Sequence, residues 1–140
     1  MSGPRLTECG SVTTRWLAQQ GRHALYGDAS HPDILKHAGV ARASHLVVTL
    51  PHSVNRGPLI AAARQLNPAL QILVRARYLR ERGELEQAGA SAACFEEAEA
   101  AVALARRVLG DIGHDEATIA LETERIRREL GGEALTGGGQ

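Results

Sequence analysis

Few residues in this chain are placed to do chemistry. Tyr26-Gly27-Asp28-Ala29-Ser30 sets a carboxylate and a hydroxyl directly after a short apolar run, and His45-Leu46-Val47-Val48-Thr49-Leu50-Pro51 ends a second run on another hydroxyl. Each reads as a buried strand that passes through a polar turn into a helix. Ligands collect beyond the carboxyl ends of strands in open α/β sheets, so a binding site belongs there. Catalysis has no comparable set, because no motif assembles an acid, a base and a substrate pocket. His31, His37, His45 and His52 lack the paired spacing of a metal motif and read as surface or cap residues. Cys9 and Cys94 belong to no CxxC pair, which gives neither a zinc site nor a disulfide framework and suits reduced cytoplasmic thiols.

Composition narrows the class of partner. The 140 residues suffice for one core and argue for a single folded domain. Sixteen basic and 16 acidic side chains cancel, and aromatics are 3% of the chain. There is thus no overall field to attract a phosphate backbone and little surface for base stacking, so no nucleic-acid partner is expected. No apolar run is long enough to cross a bilayer, and Met1 to Arg5 lacks a signal segment. The expected protein is cytosolic, without direct membrane insertion, and able to serve something in a membrane.

The elements that would position these residues alternate. Ser2 to Ser11 has no sustained period and reads as coil. Thr13 or Thr14 caps a helix through Gln20, with Trp16 and Leu17 buried and Gly21 as its stop. His23–Tyr26 is a strand, Ser30 and Asp33 resemble a capping box, and a helix runs from His31 to Ala38 before Gly39. Leu46–Val48 is apolar without alternation, as in a parallel strand covered on both faces. A helix beginning at Asn55 or later runs to Leu66 and closes at Asn67-Pro68. Ile72–Val74 is a second buried strand. Tyr78 to Ala88 is a polar helix ended by Gly89, Ala92–Phe95 a last strand, and Glu96 to Leu109 a helix stopped by Gly110. Asp115 to Leu130 is charged, with a thin stripe of Ile119, Ile126 and Leu130 and a Glu124–Arg128 pair at i,i+4. Strand–helix alternation of this kind gives a parallel sheet with right-handed crossovers.

The series Gly27-Asp28-Ala29-Ser30, Leu35, Ala38-Gly39-Val40, Ala43, Val47 to Pro51, Ala63-Arg64, Asn67-Pro68, Val74-Arg75-Ala76-Arg77, Leu85 and Ala88-Gly89-Ala90 resembles the TrkA-N domain. This is the regulator-of-potassium-conductance (RCK) nucleotide-binding module, and the likeness is nearest to Kef-type potassium-efflux and cation:proton antiporters. It runs from Thr14 to Leu109, and the charged helix after Gly113 resembles the segment that follows this domain in those antiporters. The resemblance implies a Rossmann-type domain that binds NAD(H) or an adenine nucleotide, forms a homodimer and gates potassium or proton-coupled cation transport. It would place Asp28 and Ala29 at the adenine, with Gly27 and Ser30 also among the cofactor-binding residues, and Thr49 with Leu50 near the phosphates or the nicotinamide. Asn55 and Arg75 would be polar or cationic contributors at the same rim. Each has a plainer role as well: Asp28 fixing its own turn, Thr49 satisfying a strand end, Arg75 pairing with a nearby carboxylate.

A full domain of this kind begins with a strand, a GxGxxG turn, a helix and a second strand ending in an acidic residue for the ribose hydroxyls. Glu8-Cys9-Gly10-Ser11 cannot supply that fingerprint, and the chain looks like a domain without its first two strands. The expectation is therefore an α/β fold, a partial Rossmann-like parallel sheet of about four strands with flanking helices and a charged C-terminal helix. The organisation is coil over 1–12, a truncated domain over 13–110, a helix over 114–131 and a disordered tail over 132–140. Strand His23–Tyr26 either pairs directly with Leu46–Leu50 or borrows strands from a partner chain, and nucleotide affinity is weakened. The function implied is a non-enzymatic, cytoplasmic nucleotide-sensing module, held at the inner face of the plasma membrane by a membrane antiporter or its remaining subunit. The alternatives are a protein-interaction module with no small ligand and a fragment of a nicotinamide-dependent oxidoreductase.

Overall fold

The computed structural model describes residues 6–8, 11–22 and 24–131. The tail over 132–140, expected to be disordered, lies outside them, as do Cys9 and His23. Strands and helices alternate: β1 Leu6–Glu8, α1 Ser11–Gln19, β2 Ala24–Tyr26, α2 Pro32–His37, β3 His45–Val48 and α3 Gly57–Leu66. Then come β4 Gln71–Ala76, α4 Arg82–Ala88, β5 Ala92–Phe95, α5 Glu96–Asp111 and α6 Glu116–Gly131, with 3-10 turns at Val40–Arg42 and Leu79–Glu81. The chain divides into two compact units, Met1–Leu46 with Asn55–Leu70, and Val47–Val54 with Gln71–Gln140.

The first unit carries a two-stranded parallel sheet in which Leu6, Thr7 and Glu8 stand opposite Ala24, Leu25 and Tyr26. Leu6–Glu8 is therefore strand, not the coil expected of the N-terminus. Three residues are too few to show a period, and pairing with β2 decides their conformation. That pairing also overturns the expected direct junction of β2 with the Leu46–Leu50 strand, since β2 neighbours β1 while β3 neighbours β4. In α1, Leu17 is buried but Trp16 is 57% exposed, because one helical position of about 100° separates them and only one face is covered. Gly21 and Gly39 adopt φ of +71° and +82°, the left-handed stops that the sequence placed there. Pro58 fits in the first turn of α3, where no amide hydrogen is needed. The core of this unit is Leu35, Val40, Leu59, Ile60, Ala63 and Leu70.

A three-stranded sheet has the order β3–β4–β5, and in the second unit β4 and β5 are parallel, with Arg75 opposite Cys94. Strand β4 alternates: Ile72, Val74 and Ala76 are buried, while Gln71, Leu73 and Arg75 are exposed. Val47 is likewise 61% exposed, so β3 is not covered on both faces. An apolar run is compatible with one or two buried faces, and here the pleat buries one. The polar segment after β4 is a 3-10 turn followed by α4, not one helix, which puts Gly83 in a first helical turn. Gly89, at φ +105°, ends it as expected.

Helix α5 runs through Gly110, its expected stop, to Asp111. A helical glycine costs only about 1 kcal/mol, and the left-handed residue the turn requires is Gly113, at φ +94°. Helix α6 then packs on α5 with Ile119 and Thr123 buried, and the Thr123 hydroxyl donates back to the Ile119 carbonyl. Ile126 is half-buried, while Leu130, the end of the expected stripe, is 40% exposed. Glu124 pairs with Arg127 at 2.8 Å and not with Arg128, because Arg127 also reaches Glu99 of α5 at 2.7 Å and is held on that side.

The Arg127 hydrogen bonds hold the Glu99 carboxyl below the usual carboxylate range, against a smaller upward push from burial. A depressed folded-state pKa stabilises above the unfolded value, about 4.3, and that stability is lost as pH falls through the folded value. Glu99→Gln should therefore flatten the acid limb of the stability curve below that pH while changing neutral-pH stability by about 0.2–1 kcal/mol, the range for exposed pairs. Thermal melts from neutral pH down through the carboxylate range check this, and an unchanged acid limb would refute it.

Candidate functional site

Strand β2 delivers the chain to Gly27 and Asp28, where a tight turn begins. The Asp28 Oδ1 accepts the Ser30 amide at 2.9 Å and the Ser30 hydroxyl at 2.7 Å, and the Asp28 carbonyl accepts the His31 amide at 3.0 Å. This is the local side-chain-to-backbone turn that aspartate favours. It takes the Ser30 hydroxyl away from the α2 N-terminus, so the expected capping box does not form and His31 takes the cap position without a side-chain bond. Those two hydrogen bonds, from the side chain and then the backbone of Ser30, hold the Asp28 carboxyl below the usual range, with the neighbouring His31 adding to it. Asp28 is exposed, while Gly27, Ala29 and Ser30 are half-buried. A Cβ on Gly27 would sit 2.5 Å from Ile34 Cδ1, so a larger residue here would have to displace that side chain.

Asn55 belongs to the same unit, and its Oδ1 accepts the Gly57 amide at 3.1 Å at the start of α3. Thr49, Leu50 and Arg75 lie in the other unit. Thr49 is exposed and Leu50 half-buried just past the end of β3. Arg75 donates from Nε to Glu96 at 2.5 Å, the pairing foreseen as its plainer role. The structure thus gathers Gly27 to Ser30 into one turn, sets Asn55 at a helix start and engages Arg75 with a carboxylate.

A carboxylate accepts only, so Asp28 suits an amino or hydroxyl group such as those of an adenosine. Gly27 lets Ile34 of α2 pack close against the strand end, and the turn supplies no cation for a phosphate. Two further residues escaped the sequence reading. Glu8 ends β1 opposite Tyr26, an acidic residue at a parallel strand end one strand away from the Asp28 turn. Its signal is an acid two residues before Gly10, in a stretch too short to show a strand period. Arg56 is buried, and nothing in its sequence context distinguished it from exposed arginines. Partial burial, then Glu99, push the Cys94 thiol upward, away from the reactive thiolate. Among the described residues no group of three or more histidines, cysteines and acids could hold a metal ion, and no helix is long and apolar enough to cross a membrane.

Residues 11–96 match the TrkA-N domain model. The chain is 32% identical over 85 residues to the putative cation/proton antiporter YbaL of Escherichia coli (strain K12), covering 61% of this chain and 15% of that relative. Among solved structures it is similar to the TrkA-N domain of the inner membrane protein YbaL from Escherichia coli, at a TM-score of 0.67 and 26% identity over 79% of this chain and 78% of that one. It shares the fold of the Shewanella denitrificans Kef CTD in AMP-bound form, at a TM-score of 0.64 and 21% identity over 89% of this chain and 90% of that one.

Proposed function

This chain belongs to the TrkA-N domain family, and we propose that it is the regulatory, nucleotide-sensing module of a potassium-efflux or cation:proton antiporter system. The observation that carries the reading is the Gly27–Ser30 turn: a strand end closed by glycine, followed by an exposed carboxylate fixed by two hydrogen bonds. The ligand is an adenine nucleotide or NAD(H), with Asp28 taking the adenine or ribose end. Asn55, of the same unit, contributes at the phosphate or nicotinamide end. The similar Kef CTD was solved with AMP, which supports this ligand class. The module is not an enzyme; it works on the cytoplasmic side of the membrane through a transporter. A ligand that prefers one arrangement of the assembly shifts the transporter's gate by that preference and no more.

Isothermal titration of the chain with AMP, NADH and NAD tests the reading. Saturable binding in the micromolar range is expected for at least one of them. No binding up to millimolar nucleotide would sink it.

A second reading, an interaction module that self-associates, has its own observation. Leu104, Val108 and Ile112 are 70%, 57% and 67% exposed; their spacing of four residues puts Leu104 and Val108 on one face of α5, with Ile112 at its C-terminal cap. Arg107 and Asp111, paired at 3.0 Å, flank that face. Two copies crossing antiparallel about Val108 would set Leu104 against the other's Ile112 and allow Arg107 and Asp111 to pair between chains, so the occupant we propose is a second copy. Leu104→Lys with Ile112→Lys should turn a dimer into a monomer by light scattering without lowering the melting temperature of the monomer. A wild-type chain already monomeric at about 100 μM, where a Kd of 1 μM would leave it almost wholly paired, would exclude this surface.

A further inference from the structure

The second unit holds a cluster that none of these roles uses. Tyr78, just past the end of β4, has two guanidinium carbons over its ring, that of Arg80 at 4.4 Å and that of Arg77 at 5.3 Å from the centroid. His52, from the loop after β3, meets the same ring edge-on at 5.7 Å and 83°. All four residues stand beyond the carboxyl ends of β3 and β4, and Tyr78 is the half-buried centre of an otherwise exposed group.

The nearby carboxylates are occupied elsewhere. Glu81 Oε1 accepts the backbone amides of Arg77 and Tyr78 at 3.0 and 2.7 Å, and Glu97 Oε2 accepts that of Leu79 at 3.1 Å. Glu96 is paired with Arg75. These acids pin the backbone under the aromatic ring, and among the described residues no ion pair involves Arg77 or Arg80. A guanidinium stacked on a ring is held in place by its face, while its N–H fork stays available in the plane. Two such forks on one segment, carrying two positive charges, match a phosphate dianion better than a single carboxylate.

We propose that His52, Arg77, Tyr78 and Arg80 form a binding site for the phosphoryl group of a small phosphorylated molecule, a role argued independently of the Asp28 turn. The proposal does not rest on nucleotide binding at that turn. The probe is inorganic pyrophosphate, titrated at constant ionic strength into the 15N-labelled chain while the Arg Nε–H and backbone amide signals are followed. Saturable shifts confined to His52 and Arg77–Arg80 are expected, with half-saturation below about 1 mM. Arg77→Lys with Arg80→Lys keeps the charge and removes the forks, and should raise half-saturation at least about tenfold. AMP and adenosine arms identify the source of the phosphoryl group: AMP moving the cluster when adenosine does not assigns it to a nucleotide, and pyrophosphate alone moving it assigns it to a free phosphate compound. Shifts that do not saturate, or a lysine double variant that binds pyrophosphate as well as the wild type, would overturn the site.

Discussion

Asn67→Asp should destabilise the first unit more than Asn67→Ala, although aspartate is nearly the same shape as asparagine. The Asn67 amide nitrogen donates to the Val40 carbonyl at 3.1 Å and the Ala43 carbonyl at 2.9 Å, and its oxygen accepts the Ala69 amide at 3.2 Å. One side chain therefore ties the end of α3 to the turn that precedes β3. In the alanine variant Val40 keeps a partner, because its carbonyl also accepts the Ala43 amide. The Ala43 carbonyl loses its bond, and an unsatisfied half-buried acceptor costs about 1–3 kcal/mol. Aspartate keeps the Ala69 contact but has no hydrogen to donate, and it sets a charged oxygen against two carbonyls. Its cost should lie at or above the top of that range, about 3 kcal/mol. At about 4 °C per kcal/mol for a chain of this size, thermal melts should fall by about 8 °C for alanine and by 12 °C or more for aspartate. An aspartate variant as stable as the wild type would show that the amide does not hold this turn.

The partners in that network stand 24 and 27 residues from Asn67, and such distances mark where the sequence stops being readable. Local punctuation was legible: Gly21, Gly39 and Gly89 all take the left-handed conformation that their place after an apolar stretch implies. Gly110 and Gly113 are both glycines after the same helix, and which of them turns the chain depends on how α6 returns to α5. Arg127 shows the same limit, since Glu99 lies on the other helix and no i,i+4 rule finds it. Alternation failed at Leu46–Val48 and Ile72–Val74 because an uninterrupted apolar run does not state how many faces are covered. At the candidate site the strand end and its glycine were readable from residue types alone. The Asp28–Ser30 bonds were foreseen only as the plainer role of Asp28, and the Arg75–Glu96 pair only as an unnamed carboxylate. The cluster around Tyr78 left no trace, because cation–π partners at i−1 and i+2 have no sequence signature stronger than an arginine-rich turn.

Gly27→Ala should lower both stability and nucleotide affinity, and a second substitution should separate the two. The new Cβ would meet Ile34 Cδ1 at 2.5 Å and Cγ1 at 3.1 Å. Overpacking of this kind costs about 1–3 kcal/mol, toward the low end here because the obstructing atom is the tip of a side chain. Ile34→Val deletes that tip, so the Gly27→Ala, Ile34→Val pair should recover the part of the lost melting temperature that this contact causes, the backbone strain at φ +159° remaining. Affinity for AMP should not recover if the ligand lies against the strand end, and a loss of about tenfold or more is expected to persist. Asp28→Asn gives the complementary test. Its Oδ1 still accepts both Ser30 bonds, so the turn and the melting temperature should be kept, while the acceptor-only carboxylate is gone. AMP affinity should again fall about tenfold or more. Because Ser30 holds the Asp28 carboxyl below the usual range, any binding that depends on its charge should survive acidification to lower pH than an ordinary aspartate would allow, and vanish only as pH falls through that lowered value. If the double variant and Asp28→Asn both bind AMP as the wild type does, the nucleotide does not sit on this turn, and the self-associating module becomes the reading that the exposed face of α5 supports.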